Sequence, residues 1–206
     1  MNARLSWLLP PLVLLASPAL AADEIAFRVV PAAGVRVGGN LEDAASGAAR
    51  DLQDAASFGL GLEWRAGGVD RWGQAWYSRQ ASAVQTPDGR FDVTVEYLHI
   101  GGTVPIGEDG PLRGYFAAGI GATRFSPSGA GLRDKTDFSG SIGVGASMPV
   151  SRRLALRVEA RGYLTLVDPD TAFFCRVDNG QGACAVVATG RTLFQAELTF
   201  GVAFGF

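Results

Sequence analysis

The chain has 206 residues, enough for one domain of ordinary size. Its 18 Lys and Arg against 20 Asp and Glu leave a formal charge of -2, which removes the electrostatic case for a nucleic-acid binder. The 28 glycines argue against a helical fold, since each costs about 1 kcal/mol relative to alanine in a helix interior.

The first 21 residues read as a cleaved signal peptide. Arg4 supplies the positive region, Leu5 to Leu15 the apolar region, and Ala19-Leu20-Ala21 the small residues a signal peptidase requires. The mature chain is expected to start at Ala22, as one barrel domain over 22–206. No cysteine lies near the cut, so a lipid anchor is not expected there. As an uncleaved membrane helix the run is too short and is interrupted by Pro10 and Pro11.

After it, period-two alternation predicts strands at about 25–38, 55–66, 71–83, 91–103, 112–126, 136–149, 153–167 and 191–206. Most exceed the length of a soluble strand and suit tilted membrane strands of about 9–11 residues in hydrocarbon. The connections alternate in kind. Those near Gly67, Gly107 and Pro149 are compact turns, whereas the ones between them include the long polar stretch 38–54, the short TPDG at 86–89, and the longer segments 126–135 and 169–190. With an even strand count the compact turns share one side with both termini, as in an outer-membrane barrel.

Parity separates lipid from lumen. The seventh predicted strand sets Leu154, Leu156, Val158, Ala160, Leu164 and Leu166 against Arg157, Glu159, Arg161, Tyr163 and Thr165. A soluble barrel would turn the apolar set inward. The inverted arrangement is preferred because glycines cluster on the charged side, as a narrow lumen requires. Aromatics also form two belts, Phe58, Phe91, Phe138 and Phe194 at the loop end and Phe27, Trp64, Trp72, Phe116, Phe204 and Phe206 at the turn end. Two strands break the pattern: Trp72, Trp76 and Tyr77 do not share one parity, and the phase of the fourth strand shifts near Tyr97. A bulge would account for either.

The signal peptide, the eight strands and the terminal FQAELTFGVAFGF together resemble the small eight-stranded outer-membrane barrels, a family that includes outer membrane protein X and the transmembrane domain of outer membrane protein A. The resemblance implies an all-β, antiparallel up-and-down transmembrane barrel in the outer membrane, surrounded by lipid; a monomer is the expected state. It also implies that the last strand, with Leu198, Phe200, Val202, Phe204 and Phe206 on one face, is the signal read by the barrel assembly machinery during insertion. Activity does not follow from the family, whose members serve as adhesins, anchors, narrow channels and lipid-modifying enzymes.

Three constellations could carry function. The first is a lumen charge set of Arg28, Arg36, Glu63, Arg65, Glu96, Arg113, Arg157, Glu159, Arg161 and Glu197. It could line a path for a small charged solute or form a mutually paired plug. The plug is preferred, because an eight-stranded interior is just wide enough for side chains to fill and alternating signs suit pairing. Arg161 and Glu197 are expected to be partners.

Cys175 and Cys184 form the second constellation, in the last loop, where an oxidising compartment favours a disulfide over a metal site. The bridge would present CRVDNGQGAC as an ordered surface or simply protect the loop from proteases. The third is His99, expected toward the periplasmic end. It has no serine two positions on, as the lipid-A deacylase pattern requires, and a bland histidine is the preferred reading. No catalytic residue, cofactor or metal site is expected. The preferred function is an envelope structural or surface-interaction protein acting through its extracellular loops and meeting an extracellular ligand there. A narrow channel comes second and a lipid-A-modifying enzyme third.

Overall fold

The computed structural model describes residues 25–43, 49–67, 71–86, 89–107, 110–128, 133–167, 173–178, 181–188 and 192–206. The expected signal peptide lies outside the described residues. In chain order the strands are β1 (Phe27–Gly38), β2 (Asn40–Asp43), β3 (Ala49–Asp51), β4 (Ala55–Arg65), β5 (Trp72–Thr86), β6 (Gly89–Ile106), β7 (Arg113–Pro127), β8 (Lys135–Pro149), β9 (Leu154–Leu166), β10 (Phe173–Asp178), β11 (Gln181–Ala188) and β12 (Thr192–Gly205). Eight of them close a barrel in the order β1-β12-β9-β8-β7-β6-β5-β4, and every neighbouring pair is antiparallel.

The side-chain pattern is that of a barrel turned inside out. Ile120, Ile142 and Phe200 are each 64 % exposed, whereas Arg36 and Glu63 are fully covered. Water would reverse this distribution, so the solvent around the wall is hydrocarbon. Among the described residues no helix is long and apolar enough to cross a membrane; the crossing is made by strands. The apolar outer band does not end level around the wall. On β9 and β12 it continues to Leu166 and Phe194, but on β6 and β7 it stops at the paired row Glu96 and Arg124, above which the outward positions are the polar Asp92, Thr94 and Ser126.

Two expectations need correction. The register between β5 and β6 runs without slip from Trp72 opposite Thr103 to Thr86 opposite Gly89, so neither strand bulges in the barrel wall. The alternation was misleading because the upper lumen is itself apolar. Val93, Val95 and Tyr97 point inward there while Glu96 points out, the reverse of the charge rule that holds on β9. Likewise Trp72 is 4 % exposed and faces the lumen with Trp76, so it does not belong to the lower aromatic belt. The side chain of Phe91 lies outside the described residues.

The two longest connections are not plain loops. Strands β2, β3, β10 and β11 form a second, four-stranded sheet in the order β10-β11-β2-β3 at the loop end. The turn between β1 and β2 uses Gly38 and Gly39, both at positive φ (88° and 104°), which a residue with a Cβ adopts only under strain. Asp178 faces Gln181 across β10 and β11, which leaves Asn179-Gly180 as the connecting dipeptide, a strong hairpin sequence.

Candidate functional site

In the lumen, charged and aromatic side chains from all around the wall converge. At its centre Glu197 of β12 accepts hydrogen bonds from Arg36 (3.0 Å), Ser78 (2.8 Å) and Tyr163 (2.5 Å). Arg36 also donates to Ser78, and its guanidinium lies 4.7 Å from the centre of the Tyr97 ring. Tyr97 stacks on Tyr163 at 4.0 Å between ring centres, and Trp76 donates its indole N–H to the Tyr163 hydroxyl at 2.9 Å. Such rings need bare wall beside them. A Cβ on Gly59 would stand 2.6 Å from the Trp76 indole, so glycine at this position is what lets the tryptophan lie across the lumen.

Below this layer sit two further ion pairs. Arg161 donates to Glu159 at 2.6 Å and to Gln74 at 2.8 Å, and Arg157 donates to Glu63 at 2.6 Å. Tyr115 completes the coordination of Glu159 at 2.8 Å. Above the central layer Tyr97 donates to Gln195, which donates to Gln80, which donates to the backbone carbonyl of Arg36. The top is closed by an apolar cluster that includes Leu52, Val84, Val93, Val95, Phe125, Val167 and Leu193. Isolated charges in so dry a place would be prohibitive; paired and hydrogen-bonded they are tolerated.

Of the ten expected lumen charges, six meet in this network: Arg36, Glu63, Arg157, Glu159, Arg161 and Glu197. Arg28, Arg65 and Arg113 lie at the turn-end mouth, where Arg28 is 3.9 Å from Glu63. Glu96 is a correction. It faces outward at the loop-side end of the wall, where it accepts a hydrogen bond from Tyr77 at 2.5 Å and lies 3.9 Å from Arg124. The pairing of Arg161 with Glu197 is corrected too: the two are opposite in register, but each carboxylate and guanidinium is engaged elsewhere, Arg161 with Glu159 and Glu197 with Arg36.

His99 is not at the lower interface. It is buried in the lumen, its two ring nitrogens 2.8 Å from the hydroxyls of Ser141 and Ser139 on β8. Residues facing across the lumen rather than along one strand supply these serines, which is why sequence spacing missed them. Gln80, Gln195, Tyr97, Tyr163 and Trp76 were also missed as partners. The run Gln74, Trp76, Ser78, Gln80 on alternate positions of β5 was the signal, because four hydrogen-bonding side chains on one face suit a lumen and not lipid.

Strand register sets Cys175 directly opposite Cys184 on β10 and β11. Leu198, Phe200, Phe204 and Phe206 face outward on the last strand and beyond its end, with Val202 half-covered on the same side.

Residues 9–204 match the family model described as the outer membrane protein beta-barrel domain. The chain belongs to this family. It is similar to the crystal structure of Neisserial surface protein A, with a TM-score of 0.62 and 16% identity, over 87% of this chain and 97% of that one. It is also similar to the outer membrane protein OprG from Pseudomonas aeruginosa, with a TM-score of 0.57 and 8% identity, over 88% and 96% of the two chains. At such identities the likeness is one of fold. A comparison with curated protein sequences finds no match. Family and fold together make this an outer-membrane protein, an eight-stranded barrel with its ionic face enclosed.

Proposed function

We propose that this protein is a non-conducting, non-catalytic outer-membrane anchor that acts through the structure it holds above the membrane. The observation that carries the reading is the central lumen layer, in which Arg36, Glu197, Ser78, Tyr163 and Tyr97 engage one another across the barrel beneath an apolar cap. A solute path would have to part a dry ion pair and an aromatic stack together. What remains available to partners is the second sheet, β10-β11-β2-β3, which continues two of the hairpin connections outward. It is the surface through which an extracellular ligand would be met, and a monomer suffices to present it.

Planar-bilayer recording of the purified protein tests the first half of this proposal. Silence is the expected result, and a steady single-channel conductance would establish the narrow-channel alternative in its place. Unaltered lipid A mass spectra from cells with and without the protein are expected as well. The outward row on β12, ending at Phe206, is the proposed handle for the assembly machinery. Deleting Phe206 should lower the amount of barrel reaching the outer membrane while leaving in-vitro refolding intact.

A further inference from the structure

The two ends of the described barrel meet at its turn-end mouth. A terminal oxygen of Phe206 accepts from the backbone N–H groups of Ala26 at 2.8 Å and Phe27 at 3.3 Å, and the Phe206 N–H donates back to Phe27 at 2.9 Å. These bonds fix residues 26 and 27 at the rim. Ile25 lines the opening: its carbonyl accepts from Arg65 Nε at 3.1 Å, and its side chain lies so close over Gly205 that a Cβ there would stand 2.8 Å from Ile25 Cδ1. With the cut expected after Ala21, the mature chain carries Ala22, Asp23 and Glu24 ahead of Ile25. The mouth itself is a cavity of about 420 Å³ lined by Arg28, Arg65, Arg113, Arg152, Arg153 and Arg157, with no carboxylate among its described lining residues. We infer that the mature N-terminus is a tethered plug, in which Asp23 and Glu24 turn into this mouth and pair with its arginines.

Charge and reach both favour this segment over a dissolved anion. Arg28, Arg65, Arg113 and Arg153 hold other contacts as well, but a guanidinium carries five N–H donors and is not exhausted by one partner. Glu63, beneath the mouth, already serves both Arg157 at 2.6 Å and Arg28 at 3.9 Å. Two residues of extended chain reach at most about 7 Å beyond Ile25, so both carboxylates stay in the neighbourhood of the mouth whatever their conformation. A tether so short gives an effective concentration of about millimolar or more, which outcompetes a dilute solute of the same charge. The guanidiniums of Arg28 and Arg65 lie 3.7 and 5.4 Å from the centre of the Trp72 ring, which restricts two long side chains before the carboxylates arrive. The plug is independent of the proposed surface role, because it lies at the opposite end of the barrel.

The test follows access to the mouth in the full mature chain, refolded in detergent. Ser147 lines the cavity and is half-buried, so Ser147→Cys is labelled with the uncharged reagent N-ethylmaleimide, and peptide mapping separates its label from Cys175 and Cys184. Adding Asp23→Asn and Glu24→Gln should speed this labelling about tenfold or more, as should about 1 M salt, which screens the pairs. Ser128→Cys, exposed at the other end of the barrel, should react at one rate in both backgrounds. The two neutralised positions precede the first strand, and heat-modifiable gel migration verifies that every variant is folded. Intact-mass analysis of the protein taken from outer membranes should place its start at Ala22. Labelling at Ser147→Cys that is indifferent to the two neutralisations overturns the inference, and so does a native start that removes Asp23 and Glu24 or retains the leader.

Discussion

Replacing Glu197 by alanine is the most direct measure of how dry the lumen is. The carboxylate accepts from Arg36, Ser78 and Tyr163, and both it and Arg36 have fully covered side chains. Its removal strands a buried guanidinium whose one ion-pair partner among the described residues is Glu197, a change that costs about 3–5 kcal/mol when the surroundings exclude water. Urea unfolding in detergent, followed by tryptophan fluorescence, should therefore show that loss. The double variant Arg36→Met, Glu197→Leu should recover most of it, because no charge then remains to be solvated and the volume is nearly kept. A single-variant loss below about 1 kcal/mol, the size seen for solvent-exposed pairs, would show that water reaches this layer and would refute the reasoning behind a blocked barrel.

Three further outcomes are expected. Phe200→Arg puts a cation on the lipid-facing wall, where a midplane charge costs about 2–4 kcal/mol, and reversible unfolding in lipid vesicles should show a loss of that size. Since Cys175 and Cys184 oppose each other across β10 and β11, alkylation of the unreduced, denatured protein should label neither thiol, and both should react after reduction. Outside the membrane, the hydrogen bond from Arg124 holds the Asp134 carboxyl below its ordinary value of 3.8. A carboxyl with a depressed folded-state pKa contributes stability above 3.8 that is lost as pH falls through its folded value. Carbon NMR should thus place its midpoint below 3.8, and Arg124→Gln should raise it.

The wall was legible in the sequence because its physics is local. Period-two alternation on β8, β9 and β12 reports which face meets lipid, and each observed boundary on the barrel falls within a few residues of the expected one. The exceptions were β5 and β6, where a strand facing an aromatic lumen looks no different from one facing acyl chains. Charge assignments failed for the same reason at Glu96, an acidic residue at the height where the wall leaves the bilayer. Partner choice was not legible at all. Arg161 lies beside Glu197 in register but reaches Glu159 two positions along its own strand, and rotamers, not spacing, decide that. The hairpin of β10 and β11 did have a signal in Asn179-Gly180 that polarity masked.

The contact between Arg36 and Glu197 joins residues 161 positions apart, and they face each other across the seam of β1 and β12 where the first and last staves meet. Until that seam zips, each sits at an open edge carrying a bare charge toward whatever medium surrounds the nascent protein. Neutralisation and closure are consequently a single event, and the pair works as a latch. A half-wound intermediate gains nothing from it, so entry into the bilayer should be cooperative, with the latch biasing the chain toward the fully ringed state.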